Sequence, residues 1–206
     1  MQKVRGSSTA GGHGEDSDGT AVLPGAQPVL SAPRFLPDQP LPPYAFVPGR
    51  RPHPLRSPGG HRMGGEDSPP IDPAAWRDSA AYLRGIDLFN HGYYWEAHEA
   101  WEAGWHAMHR TGPVADMLKA LIRMAAAGVK LREPVEHAAR SHARKGAALF
   151  RAIADDQGDD RFMGLSLRGL VSFADAVAAG TMGQVDDRDL DVAVVFSFLL
   201  WPSDAR

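Results

Sequence analysis

Fourteen of the chain's 17 prolines fall between Pro24 and Pro73, and only Pro113, Pro134 and Pro202 lie outside that window. Proline removes a backbone donor and fixes φ, so no regular helix or central strand can run through such a stretch. The chain therefore divides into two unlike parts. Residues 1–30, Gly-, Ser- and Asp-rich through Thr20, read as a disordered tail. Residues 31–72 read as a Pro-rich extended arm, with Phe35, Leu36, Leu41, Tyr44, Phe46, Val47 and Leu55 set among the prolines. Extended or polyproline backbone carrying such anchors suits partial docking onto a folded surface. Residues 73–206 are left to supply the core.

In that second part the apolar spacing is helical. Asp72-Pro73 is a helix start, with a capping side chain followed by proline in the first turn, and predicts a helix over 73–91. Its inward residues are Trp76, Ala80, Leu83, Ile86, Leu88 and Phe89. Gly92 breaks it, and further helices are predicted over 93–109, 114–131, 134–154 and 166–179. The run Ala125-Ala126-Ala127-Gly128 permits a close helix approach, and the fourth helix turns Ala138, His142, Leu149 and Ile153 inward. Residues 155–160 and 180–189 read as loops. The apolar tail from Val192 is short enough to pack as an extended strip over the helices. The fold class is all-α: a bundle of about five helices with an irregular Pro-rich N-terminal arm.

Composition removes several function classes. A formal charge of -3 without a basic stripe argues against nucleic acid as a partner. The absence of cysteine excludes disulfides, thiolate metal sites and cysteine nucleophiles. Met1–Thr20 has no apolar signal core, and the apolar run 192–201 is far short of the roughly 20 residues that span a membrane, so a cytoplasmic protein with no membrane partner is expected. Apolar surface used for homo-oligomer formation remains open. No phosphate loop, nucleophile elbow or dinucleotide fingerprint is present.

The segment Tyr93–Trp105 carries the chemistry. At about 100° per residue, Tyr94, His98, Trp101, Glu102 and Trp105 share one narrow face, with Trp95 and Glu99 on its edge. Aromatic rings at this spacing mark a buried face, so His98 and Glu102 need partners there. Glu96 falls nearly opposite and reads as a solvated residue of the first turn. His98-Glu99-Ala100-Trp101-Glu102 is an H-E-x-x-E string, related to the zinc-protease H-E-x-x-H. In the metal reading His98 and Glu102 are ligands of a divalent ion, His53 and His61 from the arm are further candidates, and Glu99 is the catalytic base. Asp87, His91, His106 and His142 could complete such a site. In the structural reading, His98 and Glu102 bond each other, or Glu102 pairs with Arg123 or Lys130, and the protein is a non-catalytic module. A third reading makes Asn90, Tyr94, Trp95, His98, Trp101, Glu102, Trp105 and Arg123 the lining of a small-molecule pocket.

Phe89-Asn90-His91-Gly92-Tyr93-Tyr94-Trp95-Glu96-Ala97-His98-Glu99-Ala100-Trp101-Glu102, continued to Trp105, resembles the helical family named domain of unknown function 309. Its pattern is F-N-x-G-x-[YF]-[WF]-E-x-H-E-x-[WL]-E-x-x-W. The resemblance extends over about 76–155 through Leu118, Leu121, Ile122, Ala125, Ala126 and Ala127, with Arg123 where the family usually has glutamine. Segments like Pro42–Gly49, Pro52-His53-Pro54 and Gly60-His61 precede the domain in some members. The resemblance implies an all-helical fold and no established substrate, cofactor or activity.

Overall fold

The computed structural model describes residues 32–54, 56, 57, 60, 68–182 and 190–203. Among these residues five helices form a bundle: α1 (Ala80–Asn90), α2 (Tyr94–Ala107), α3 (Gly112–Arg132), α4 (Glu136–Gln157) and α5 (Leu167–Ala179). Each packs chiefly on its neighbours in the chain. Between α4 and α5 lies a two-residue hairpin, β1 (Arg161–Phe162) against antiparallel β2 (Leu165–Ser166). Among the described residues no helix is long and apolar enough to cross a membrane.

The first helix starts later than Asp72-Pro73 predicts. Asp72 Oδ1 accepts instead from the Ala74 amide at 2.9 Å, and a 3-10 turn over Trp76–Asp78 tucks the Trp76 ring into the core. Ser79, extended at ψ 98°, then recaps the chain by accepting from the Tyr82 amide. The face of α4 also differs. Ala139, Ala143, Gly146, Ala147, Phe150 and Ile153 are buried, whereas Ala138, His142 and Leu149 are half-buried. Small residues let α3 and α4 pack closely along that stripe. Asp155 and Asp156 belong to the last turn of α4, which ends at Gly158 in the left-handed conformation.

From Tyr82 to Asn90, α1 is buried on every side. Two helices cannot enclose a third completely, and the remaining cover is irregular chain. Ala45, Phe46 and Val47 of the arm are buried, as are Val195, Phe196 and Leu200 of the tail. Phe196 sits 5.6 Å from Phe89, 5.3 Å from Tyr94 and 5.1 Å from Phe173, centroid to centroid, and so joins α1, α2 and α5. The apolar tail thus packs as an extended strip. Gly92, at φ +86°, both breaks the helix and admits the tail: a Cβ there would meet the Ala193 carbonyl oxygen at 2.7 Å.

Candidate functional site

The buried face of α2 combines two aromatic rings with two small residues. Tyr94, Ala97, Trp101 and Gly104 point inward, and the Trp101 ring, fully buried, donates from Nε1 to the Tyr82 carbonyl at 3.1 Å. This centre lies about 60° from the one drawn through the aromatic and charged residues. Consequently His98 and Glu102 sit on the shoulder of the helix, 31% and 40% exposed in their side chains. Trp95 and Trp105 are half-buried on that same shoulder.

His98, Glu99 and Glu102 converge there, each offering one ligand atom within 4.8 Å of the others. His98 Nε2 lies 3.9 Å from Glu102 Oε2, and His106 Nε2 lies 3.9 Å from Glu102 Oε1. Burial, reinforced by the Glu102 and Glu96 charges, pushes the Glu99 carboxyl up to about 7, with Arg56 of the arm pulling the other way. Burial lowers the His98 imidazole, Glu102 raises it, and Arg123 of α3 lowers it. His142 of α4 is held down by its own burial and by the charges of Arg123, Lys145, Lys130 and His98. Near neutral pH the trio therefore holds an unprotonated imidazole beside a carboxyl that exchanges a proton readily. Two ligands at 2.0–2.2 Å from one ion lie at most about 4.4 Å apart, and the 3.9 Å between His98 Nε2 and Glu102 Oε2 falls inside that span.

The other motif residues have a different employment. Glu96, expected to be solvated, is 1% exposed because the arm crosses it, and its Oε1 accepts from the Phe46 amide at 2.8 Å. Asp87, fully buried, accepts from the Phe35 and Leu36 amides at 2.8 Å each, with Arg34 Nε 3.9 Å away. One turn earlier Arg84 donates to the carbonyls of Gln39 and Pro40. Asn90 grips the tail by both ends of its amide, donating to the Leu200 carbonyl and accepting from the Leu200 amide, each at 2.9 Å. The Tyr94 hydroxyl accepts from the Val195 amide at 2.9 Å. Four side chains named as potential ligand or pocket groups are therefore clamps, core or cover: Asp87, Asn90, Tyr94 and Trp101. Asp87 and Asn90 follow Leu83 and Ile86 at helical spacing, which is the signal that they are buried.

His53 does not join the trio. Its ring packs against Phe46 at 5.0 Å and Trp95 at 5.2 Å, so the arm closes an aromatic cluster beside Glu99. His91 Nδ1 lies 2.7 Å from the Asp87 carbonyl on its own helix, and Lys130 pairs with Glu133 at 2.6 Å rather than with Glu102. His61 lies outside the described residues. A cavity of about 300 Å³ is lined by Ala45, Val47, Arg50, Arg51, Arg132, Leu190 and Asp191, and by none of the trio.

Residues 82–142, from α1 into α4, match the family model described as "Domain of unknown function (DUF309)". No curated protein and no solved structure matches the chain. The matched span contains Arg84, Asp87, Asn90, Tyr94 and Glu96 but neither the arm nor the tail that they hold.

Proposed function

We propose that this chain, which carries a DUF309 domain over residues 82–142, works as a non-catalytic interaction module: a helical frame that holds two extended segments in fixed positions. One observation carries that reading. The buried polar residues Asp87, Asn90, Tyr94 and Glu96 of α1 and α2 bond to backbone amides of the arm and tail. Side chains committed in this way supply rigidity, since any loss strands a buried or half-buried amide. Leu199 and Trp201, 37% and 48% exposed on the clamped tail, are suited to contact with a second copy or another protein.

A second reading, a metal-dependent hydrolase, is favoured by the convergence of His98, Glu99 and Glu102. In it His98 and Glu102 hold a divalent cation, and Glu99, poised near pH 7, moves the proton. The two readings separate in one experiment, elemental mass spectrometry of untagged protein, wild type beside His98→Ala. The module reading expects no stoichiometric metal and nearly equal melting temperatures, because a part-exposed pair at 3.9 Å contributes only about 0–1 kcal/mol. Stoichiometric metal that disappears in the variant would overturn it in favour of the hydrolase.

A further inference from the structure

Arg132 closes α3 and is 2% exposed. Its Nη2 donates to the Leu190 carbonyl at 2.7 Å, but Nε and Nη1 are buried and have no acceptor among the described residues. A buried guanidinium with unmet donors is costly, and native proteins rarely leave one without a partner. This one borders the cavity of about 300 Å³, which also presents Arg50 and Arg51. Of the nearby carboxylates, Asp191 pairs with Arg51 and Glu96 accepts from Phe46 through Oε1; among the described residues neither hydrogen-bonds Arg132. Burial and the charge of Arg50 lower the Arg132 guanidinium, while Tyr94 and Glu96 raise it. The other walls are aliphatic: Ala45, Val47 and Leu190.

We propose that this half-open cleft between the arm, the end of α3 and the tail binds a small organic anion, its oxyanion group on Arg132 and a short apolar body against Ala45, Val47 and Leu190. Guanidinium donors match carboxylate and phosphoryl oxygens, and a charge-assisted bond away from water is the strong kind. The cavity volume falls at the small end of ligand pockets, which suits a metabolite-sized anion rather than a chain. Because the arm and tail both contribute walls, occupancy would tie them together. The site uses none of His98, Glu99 and Glu102, so it stands whether or not that trio takes a metal.

The test is titration of the full chain with sodium butyrate and, separately, inorganic phosphate, followed through amide resonances. Saturable shifts at Ala45, Val47 and Leu190 are expected with at least one anion, and Arg132→Gln should weaken binding about tenfold or more. Saturation by butyrate identifies a carboxylate site, and saturation by phosphate alone a phosphoryl site. Arg132→Gln also loses the bond to Leu190, so Arg50→Ala/Arg51→Ala serves as a second variant with Arg132 retained. It should keep the helix resonances at their wild-type positions and bind severalfold more weakly. No saturable shift with either anion, or affinity unchanged in both variants, would overturn the proposal.

Discussion

Glu96 illustrates how a residue's role depends on what crosses it. On a helical wheel it faces away from Trp101, yet the arm makes that side interior and gives its carboxylate the Phe46 amide. Glu96→Ala should strand that buried amide and cost about 1–3 kcal/mol. Asp87→Ala strands two amides and should cost more, read by denaturant unfolding; losses within 0.5 kcal/mol, the range of ordinary surface changes, would mean that the clamps carry no weight. Glu99 behaves oppositely to a paired carboxylate. Its folded value, about 7, lies above the ordinary 4.5, so its contribution is fully present below pH 4.5 and is lost as pH rises through 7. Glu99→Gln should therefore gain on wild type between pH 5 and pH 8, by about 1 kcal/mol after allowance for solvent screening of a half-exposed group. His98, lowered by burial, has the reverse slope and loses stability as pH falls below 6.5, but it is common to both proteins and cancels in the comparison. Melting curves that stay parallel across this range would refute the assignment to Glu99. The convergence of His98, Glu99 and Glu102 was legible from their spacing. Their depth was not, because small Ala97 and Gly104 share the buried face with Tyr94 and Trp101 and shift its centre.

Element by element, aromatic side chains are seated by glycines on the facing helix. A Cβ on Gly85 of α1 would lie 2.1 Å from Trp101 Nε1, and one on Gly128 of α3 would lie 2.6 Å from the Tyr94 ring. Both rings are fully enclosed and cannot swing aside, so Gly85→Ala and Gly128→Ala are each expected to destabilise by about 1–3 kcal/mol despite the better helix propensity of alanine. An unchanged melting temperature in either would show that these helices have room to separate. The close approach at Gly128 could be read from the run of small residues before it. The late start of α1 could not, since Asp72-Pro73 is a sound local start that loses to the burial of Trp76 and the second cap at Ser79. Local chemistry offered two caps, and packing chose between them.

In the molecule as a whole, the irregular chain is as much part of the core as the helices are. The proline density of the arm ruled out regular structure there, and its apolar residues suggested docking, but which polar groups receive an extended segment depends on contacts 50 or more residues apart, as between Phe46 and Glu96 or Leu200 and Asn90. A sequence pattern records periodicity within an element; it carries no trace of such pairings. The central claim, that motif residues of α1 and α2 hold the arm and the tail in place, is tested most directly by native-state hydrogen exchange. The amides of Phe35, Leu36, Phe46, Val195 and Leu200 lie outside helices and strands and donate to the clamping side chains, so their protection reports on the clamped segments rather than on a helix or sheet ladder. The account predicts that all five exchange slowly, with opening energies close to those of the helices, and that Glu96→Ala selectively releases Phe46. Exchange at the rate of free chain in the wild type would contradict it.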